Sequence, residues 1–216
     1  MTVGLTFTPE SIITYKARAY TYKQTGTPRT IRPIELADLQ AHAKIDFVDT
    51  GQTDYINFLI DAAVDAAERF TNRSFINQTW KTYRDFFTAF ITLRRGTNAI
   101  VNSFKYFNTS NILTVVPADS YYVSVQNPYS SIVFKMDSQF PGDVLLQQNC
   151  IEIEFTAGYG AAKIDVPFGL RMLLLQHVTW LYENKGNCPV DEIPPIVLNG
   201  YKKHFRVIDI NATTYL

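Results

Sequence analysis

IEIEFTAGYGAAKIDVPFGLRMLLLQHVTWLYEN, residues 151–184, holds a strand, a glycine turn and a helix in that order. Ile151, Ile153 and Phe155 alternate with Glu152 and Glu154, and a period of two places the apolar trio on one face and both carboxylates on the other. Gly158 and Gly160 bracket Tyr159, marking a turn whose backbone needs angles that other residues avoid. Tyr159 reads as a turn aromatic packed on the sheet. Pro167 suits the first turn of a helix, with Asp165 as the cap before it. From Phe168 onward Leu170, Leu173, Leu174, His177, Val178 and Leu181 recur at helical spacing. Such a stripe must be buried against other elements, so the rest of the chain has to supply a partner surface.

Working outward, Pro33 to about Lys44 predicts a short helix with Leu36 and Leu39 inward, and Asp46 to Gln52 a polar break. Thr53 to Thr71 predicts a second helix with Tyr55, Phe58, Leu59, Ala62, Ala66 and Phe70 on its apolar face. Its alanines let another helix approach closely, and Asn72 ends it. A last helix is expected from Ile196 to about Phe205, apolar at Val197, Leu198, Tyr201 and Phe205 and basic at its end. Thr, Val, Ile, Tyr and Phe dominate residues 78–155, which predict strands near 79–86, 90–95, 100–107, 112–116, 121–125, 131–135 and 151–156. The expected fold class is α+β. A small antiparallel helical bundle, residues 31–76 and 164–206, carries an inserted antiparallel β-region, a sheet or small barrel, at 77–163. Residues 1–30 show no clear period and are expected to form an extended arm ordered by a neighbour, and 207–216 a tail.

The 216 residues, 46% hydrophobic and 14% aromatic, suffice for a sizeable core. Twenty basic residues balance twenty acidic ones, which removes any global attraction to nucleic acid or an anionic membrane. No run approaches the roughly 18 apolar residues of a membrane span, and MTVGLTFTPE is not expected to act as a secretion signal. Cys150 and Cys188, with no C-x-x-C pattern, are expected to be free thiols. The charge is segregated along the chain. Between Glu35 and Arg69 eight acids face two bases, and from Arg73 to Lys105 six bases face one acid. These blocks are either solvated faces or complementary surfaces that meet head to tail between subunits. The second reading makes Arg84, Arg94, Arg95, Asp54, Asp61 and Asp65 the inter-subunit residues. An alternative reading is a DNA-binding module on the basic 73–105 region, using Arg73, Lys81, Arg84, Arg94, Arg95 and Lys105.

Catalytic motifs are missing: there is no GxSxG, HExxH, Walker-type glycine loop or GxGxxG. His42, His177 and His204 fall on three different helices, away from any ligand spacing, and His177 reads as a core histidine bonded to a backbone carbonyl. Glu152 and Glu154 lie about 7 Å apart along one strand face, where a solvated edge is the default over paired catalysis. The chain is expected to be no enzyme and to use no metal or cofactor.

The order of short motifs adds to this. Two helices lead to Asn77-Gln-Thr-Trp80, followed by Ile100-Val-Asn-Ser-Phe-Lys-Tyr106, Pro117-Ala-Asp-Ser-Tyr-Tyr122, Phe155-Thr-Ala-Gly-Tyr-Gly160, Val166-Pro167 and Trp180-Leu-Tyr-Glu-Asn184. Over about Ile34 to Phe205 this resembles the head–tail connector, or adaptor, family of tailed bacteriophages and gene-transfer particles. The resemblance implies a structural protein of the virion neck, assembled in the host cytoplasm. It further implies a ring, typically dodecameric, beneath the portal protein, extending the DNA channel and offering a platform for the next neck, stopper or tail protein. Weak contact with channel DNA is compatible with it, and no membrane is involved. Because the C-terminal segment of such proteins commonly meets the portal, the implied docking residues are Tyr201, Lys202, Phe205 and Arg206.

Overall fold

The computed structural model describes residues 22–26, 29–44, 49–96, 98–126, 129–135, 140–145, 147–189 and 191–206. Strand β1 (Tyr22–Gln24) comes first, then helices α1 (Leu36–Ala43) and α2 (Thr50–Thr71). Strands β2 (Gln78–Arg84), β3 (Phe90–Leu93), β4 (Ile100–Phe107), β5 (Leu113–Val115), β6 (Tyr121–Gln126), β7 (Tyr129–Phe134) and β8 (Ile151–Ala157) follow. A 3-10 turn at Lys163–Asp165 leads to α3 (Phe168–Glu183), and α4 (Pro195–His204) closes the order. The class is α+β, as expected.

β8 is the centre of a five-stranded sheet in the order β1-β2-β8-β4-β5, paired antiparallel with β2 on one side and β4 on the other. Its alternation is the one read from sequence: Ile151, Ile153, Phe155 and Ala157 are buried, and the residues between them are half-buried. The remaining strands form a second antiparallel sheet, β3-β7-β6. Both sheets contribute to one apolar core, with Ile91, Leu93 and Ile132 from the smaller and Phe104, Ile153 and Phe155 from the larger. Phe87 seals one side of it, its ring 5.8 Å from Phe104 and 5.6 Å from Phe134.

The helices bury a separate core that includes Leu39, Ile60, Val64, Leu170, Leu174, Val178 and Tyr201. α2 begins three residues earlier than its periodicity suggests. Asp49 Oδ1 accepts the Gln52 N–H at 2.7 Å and caps the helix inside the stretch read as a polar break. Asn72, with φ of 58°, ends α2 as expected. Its buried face is rotated from the expected stripe: Ile56, Ile60, Ala63 and Ala67 are covered, whereas Tyr55 is 38% and Phe58 56% exposed. Small side chains at Ala63 and Ala67 suit the approach of α3, which packs on this helix. The rotation also turns Glu68 inward.

Three details of the glycine turn differ from expectation. Among the described residues Gly186 is the glycine with positive φ, so Gly158 and Gly160 are required for a different reason. A Cβ on Gly158 would stand 2.6 Å from the Asn77 backbone nitrogen, and one on Gly160 would collide with the Asp165 carboxylate. Close approach of two chain segments selects these glycines. Asp165 accepts the Ala162 N–H at 2.9 Å and closes the 3-10 turn, while Pro167 occupies the cap of α3. Tyr159 packs against the helical core, not the sheet.

Part of the expected arm belongs to this chain's own sheet. Tyr22, Lys23 and Gln24 pair with Thr82, Lys81 and Trp80, and the Thr25 N–H donates to the Thr79 carbonyl at 3.1 Å. Residues 1–21 and the expected tail 207–216 lie outside the described residues, as do 45–48 of the polar break. No helix among the described residues is long and apolar enough to cross a membrane. Cys150 and Cys188 are free thiols, the first buried and the second half-buried.

Crowding at Gly158 predicts that Gly158→Ala destabilises the fold by about 1–3 kcal/mol. Gly142, whose added Cβ would meet nothing within 4 Å, is the control: Gly142→Ala should stay within about 0.5 kcal/mol. Urea unfolding of both variants measures the difference.

Candidate functional site

The segment between α2 and β2 joins the helical core to the sheets, and a buried carboxylate organises it. Glu68 Oε1 accepts the Phe75 N–H at 2.6 Å and the Gln78 Nε2 at 3.1 Å, and Oε2 accepts from Arg29 Nη1 at 3.1 Å. Burial pushes the Glu68 carboxyl above its ordinary value, against the pull of the Arg29 charge, the Phe75 N–H and the Gln78 amide. Arg29 also donates to Asp65 Oδ1 at 2.7 Å, and Arg32 grips Asp61 through two hydrogen bonds of 2.8 and 2.7 Å. A cavity of about 770 Å³ opens beside this cluster, with Arg29, Gln78, Trp80 and Arg95 among its lining residues. Arg95 lies over the Trp80 ring at 4.3 Å. Close by in the chain, Arg73 Nε donates to the Phe205 carbonyl at 2.7 Å and Arg206 stands over Phe70 at 4.8 Å, which ties the end of α4 to α2.

The charged residues read as inter-subunit contacts have different fates. Asp61 and Asp65 are held in ion pairs with Arg29 and Arg32 of their own chain. Arg84 is buried, its Nη2 donating to the Thr92 carbonyl at 3.2 Å. Arg95 is engaged by Trp80, and Arg94 stands 5.8 Å from the Tyr22 ring. Asp54 is exposed. Among the residues assigned to docking, Tyr201 is corrected: it is fully buried, edge-on to His177 with centroids 6.3 Å apart, because the apolar line of α4 runs through it. Lys202 and Arg206 are exposed, and Phe205 is half-buried against the helical core. His177 is the core histidine expected, its Nε2 2.8 Å from the Glu192 carbonyl, and burial lowers its pKa.

The basic 73–105 block is largely engaged within the chain. Arg73 is buried, and Lys81 contacts Glu152 at 2.8 Å and Glu154 at 3.6 Å, so those two carboxylates are a lysine clamp rather than a solvated edge. Among the described residues no group of three His, Cys, Asp or Glu side chains is placed to hold a metal. The Arg29, Arg32, Glu68 and Gln78 cluster escaped sequence reading. A signal existed: Asp61, Asp65 and Glu68 recur at helical spacing, and Arg29 and Arg32 precede them at a spacing of three.

No protein-family model matches the chain, and no curated protein matches it. Its fold is nonetheless shared with chains of solved particles. One belongs to the neck of an empty GTA particle computed with C6 symmetry, with a TM-score of 0.70 and 17% identity over 88% of this chain and 97% of that one. Another is in the virion of a native gene transfer agent (GTA) particle, with a TM-score of 0.66, 17% identity and coverage of 88% and 96%. A third is in the neck of a native GTA particle computed with C12 symmetry, with a TM-score of 0.66, 18% identity and coverage of 88% and 97%. At such identities the likeness establishes a common fold across nearly the whole of each chain.

The Arg29 charge pulls the Glu68 carboxyl down against the effect of burial. A carboxyl raised in the folded state above its ordinary value contributes stability that is present below its unfolded pKa and lost as pH rises through its folded one. Removing Arg29 raises the carboxyl further. Arg29→Gln should therefore cost about 3 kcal/mol near pH 7.5 and distinctly less near pH 5. Denaturant melts at the two pH values check this, and an equal loss at both would contradict it.

Proposed function

We propose that the chain is a structural subunit of a virion neck, a head–tail connector of the adaptor type. The observation that carries this reading is the likeness of nearly the whole fold to chains from particle necks. In this reading α1 to α4 form a bundle into which the β-region of residues 77–163 is inserted. Copies assemble as a ring beneath the portal, extend the DNA channel and present a platform for the next neck or tail protein. The cyclic symmetries used for the similar necks, C6 and C12, support a ring and make twelve copies the natural count.

Such a protein acts by assembly, not by chemistry. Ring formation draws on exposed apolar side chains, of which Phe58, Phe90, Ile100, Val115 and Phe168 are examples. Their burial contributes about 25 cal/mol per Å² before the entropic cost of association. With Asp61, Asp65, Arg84 and Arg95 engaged inside the subunit, charge contributes less to the ring contact than the segregated sequence blocks suggest. Portal docking falls to the exposed basic end of α4, Lys202 and Arg206 beside Phe205, held in place by the buried Tyr201.

Native mass spectrometry of the chain mixed with the portal of its particle should show a multi-subunit complex, and a chain that stays monomeric with the portal present overturns the proposal. The double variant Lys202→Glu, Arg206→Glu should weaken portal binding by about tenfold or more, roughly 1.4 kcal/mol, while losing the Arg206–Phe70 contact costs the fold only about 1 kcal/mol. Tyr201→Ala should instead lose about 3–5 kcal/mol of folding stability.

A further inference from the structure

The cavity beside β1, β2 and α2, about 770 Å³ in volume, has features that neither the fold likeness nor assembly accounts for. Its charges divide into a rim and an inner wall. At the rim, Asp65 and Arg69 have side chains 64% and 65% exposed and their pairs are screened by solvent. Deeper lie Glu68 and Arg29, at 10% and 12%, together with Arg95. Arg29 and Glu68 form an ion pair, whereas Arg95 makes no ion pair among the described residues and feels the Glu68 charge only at longer range. The inner wall thus carries one excess positive charge.

Arg95 is also held ready. Its φ of 90° lies in the left-handed region that non-glycine residues avoid, and its carbonyl accepts the Ser74 N–H at 2.6 Å. Ser74 Oγ accepts the Trp80 Nε1–H at 2.8 Å, so one serine anchors both the arginine backbone and the indole beneath its guanidinium. A guanidinium stacked on an aromatic face offers its N–H edge to a planar acceptor. The Nε of Arg95 and the Nε of Arg29, both buried and both on residues lining this cavity, have no hydrogen-bond partner among the described residues. Burial lowers the pKa of Arg95, against the opposing pull of the Glu68 charge.

We propose that this cavity is a binding site for a monoanionic carboxylate, gripped by the Arg95 guanidinium over Trp80 with Arg29 as a second donor. One carboxylate balances the inner wall. A phosphate dianion would exceed that balance and face Glu68. The volume falls within the roughly 300–1,000 Å³ of small-ligand sites and exceeds a lone carboxylate. The ligand therefore has a body, either an acidic side chain within a peptide or a small organic acid, and Gln24, Thr30 and Gln78 line the space for its polar groups. The site stands independently of assembly at a neck.

The chain has two tryptophans, so Trp180→Phe leaves Trp80 as the sole tryptophan reporter under excitation that spares tyrosine. In that background a blocked Ala-Glu-Ala tripeptide and N-acetylglycine should change Trp80 emission saturably, while the Ala-Gln-Ala control and inorganic phosphate should not. Arg95→Gln should weaken the carboxylate response by about tenfold or more, with Arg95→Lys between it and the parent. A tripeptide that binds clearly tighter than N-acetylglycine identifies an acidic polypeptide as the source, and equal binding identifies a free acid. In the parent protein the Arg95 Nε–H resonance should shift on carboxylate addition, a readout that holds even if Arg95→Gln fails to fold. No saturable response to either carboxylate, a response untouched in a folded Arg95→Gln, or tighter binding of phosphate overturns the proposal.

Discussion

Glu68 carries an ionisable group into an interior that α2 otherwise fills with Ile60, Val64 and Ala67, and the chain answers with donors from three places. Arg29 comes from before the helices, the Phe75 N–H from the connection, and the Gln78 amide from the first residue of β2. A buried carboxylate with any of these missing would cost several kcal/mol. The junction is therefore close to all-or-none. When it forms, the chain leaving α2 runs alongside the glycine turn, with parallel bridges from Ile76 to Gly160 and from Arg73 to Arg95. Gly158 can then lie against Asn77. The same few residues set where the sheets stand relative to the helices and shape the wall of the cavity.

Many of the segregated charges meet within the chain. The acidic stretch from Glu35 to Glu68 is met by Arg29, Arg32 and Lys163, the last 2.7 Å from Glu35 and 3.4 Å from Asp38. The basic stretch that follows is met by Glu152, Glu154, the Phe205 carbonyl and the Trp80 ring. The outward surface combines exposed apolar side chains such as Phe58 and Phe168 with the basic end of α4 and charges such as Asp54, Asp119 and Glu183.

Much of the fold was legible, for identifiable reasons. The alternation in β8 and the stripe on α3 are strong because each element repeats its pattern over several periods. Asn72 and His177 were read correctly because each reports a local rule: a left-handed helix end, and an imidazole on an apolar face. β1 was missed because three residues carry no period. The face of α2 was misplaced because apolar residues surround much of that helix, so spacing alone does not choose between Tyr55 and Ile56. Tyr201 was read both as part of the apolar face of α4, where it is buried with Val197, and by resemblance as a docking residue.

From sequence alone came the class, the order of the helices and of every strand except β1, the free thiols and the likeness of motif order, all of which rest on rules that act over a few residues. Only the tertiary structure decided that β8 lies between β2 and β4, that β1 joins β2, and which charges meet. Arg29 and Glu68 are 39 positions apart, and Arg73 and Phe205 are 132 apart. Pairings at such separations depend on how whole elements pack, because each partner is chosen by the burial of its surroundings rather than by its near neighbours in the chain.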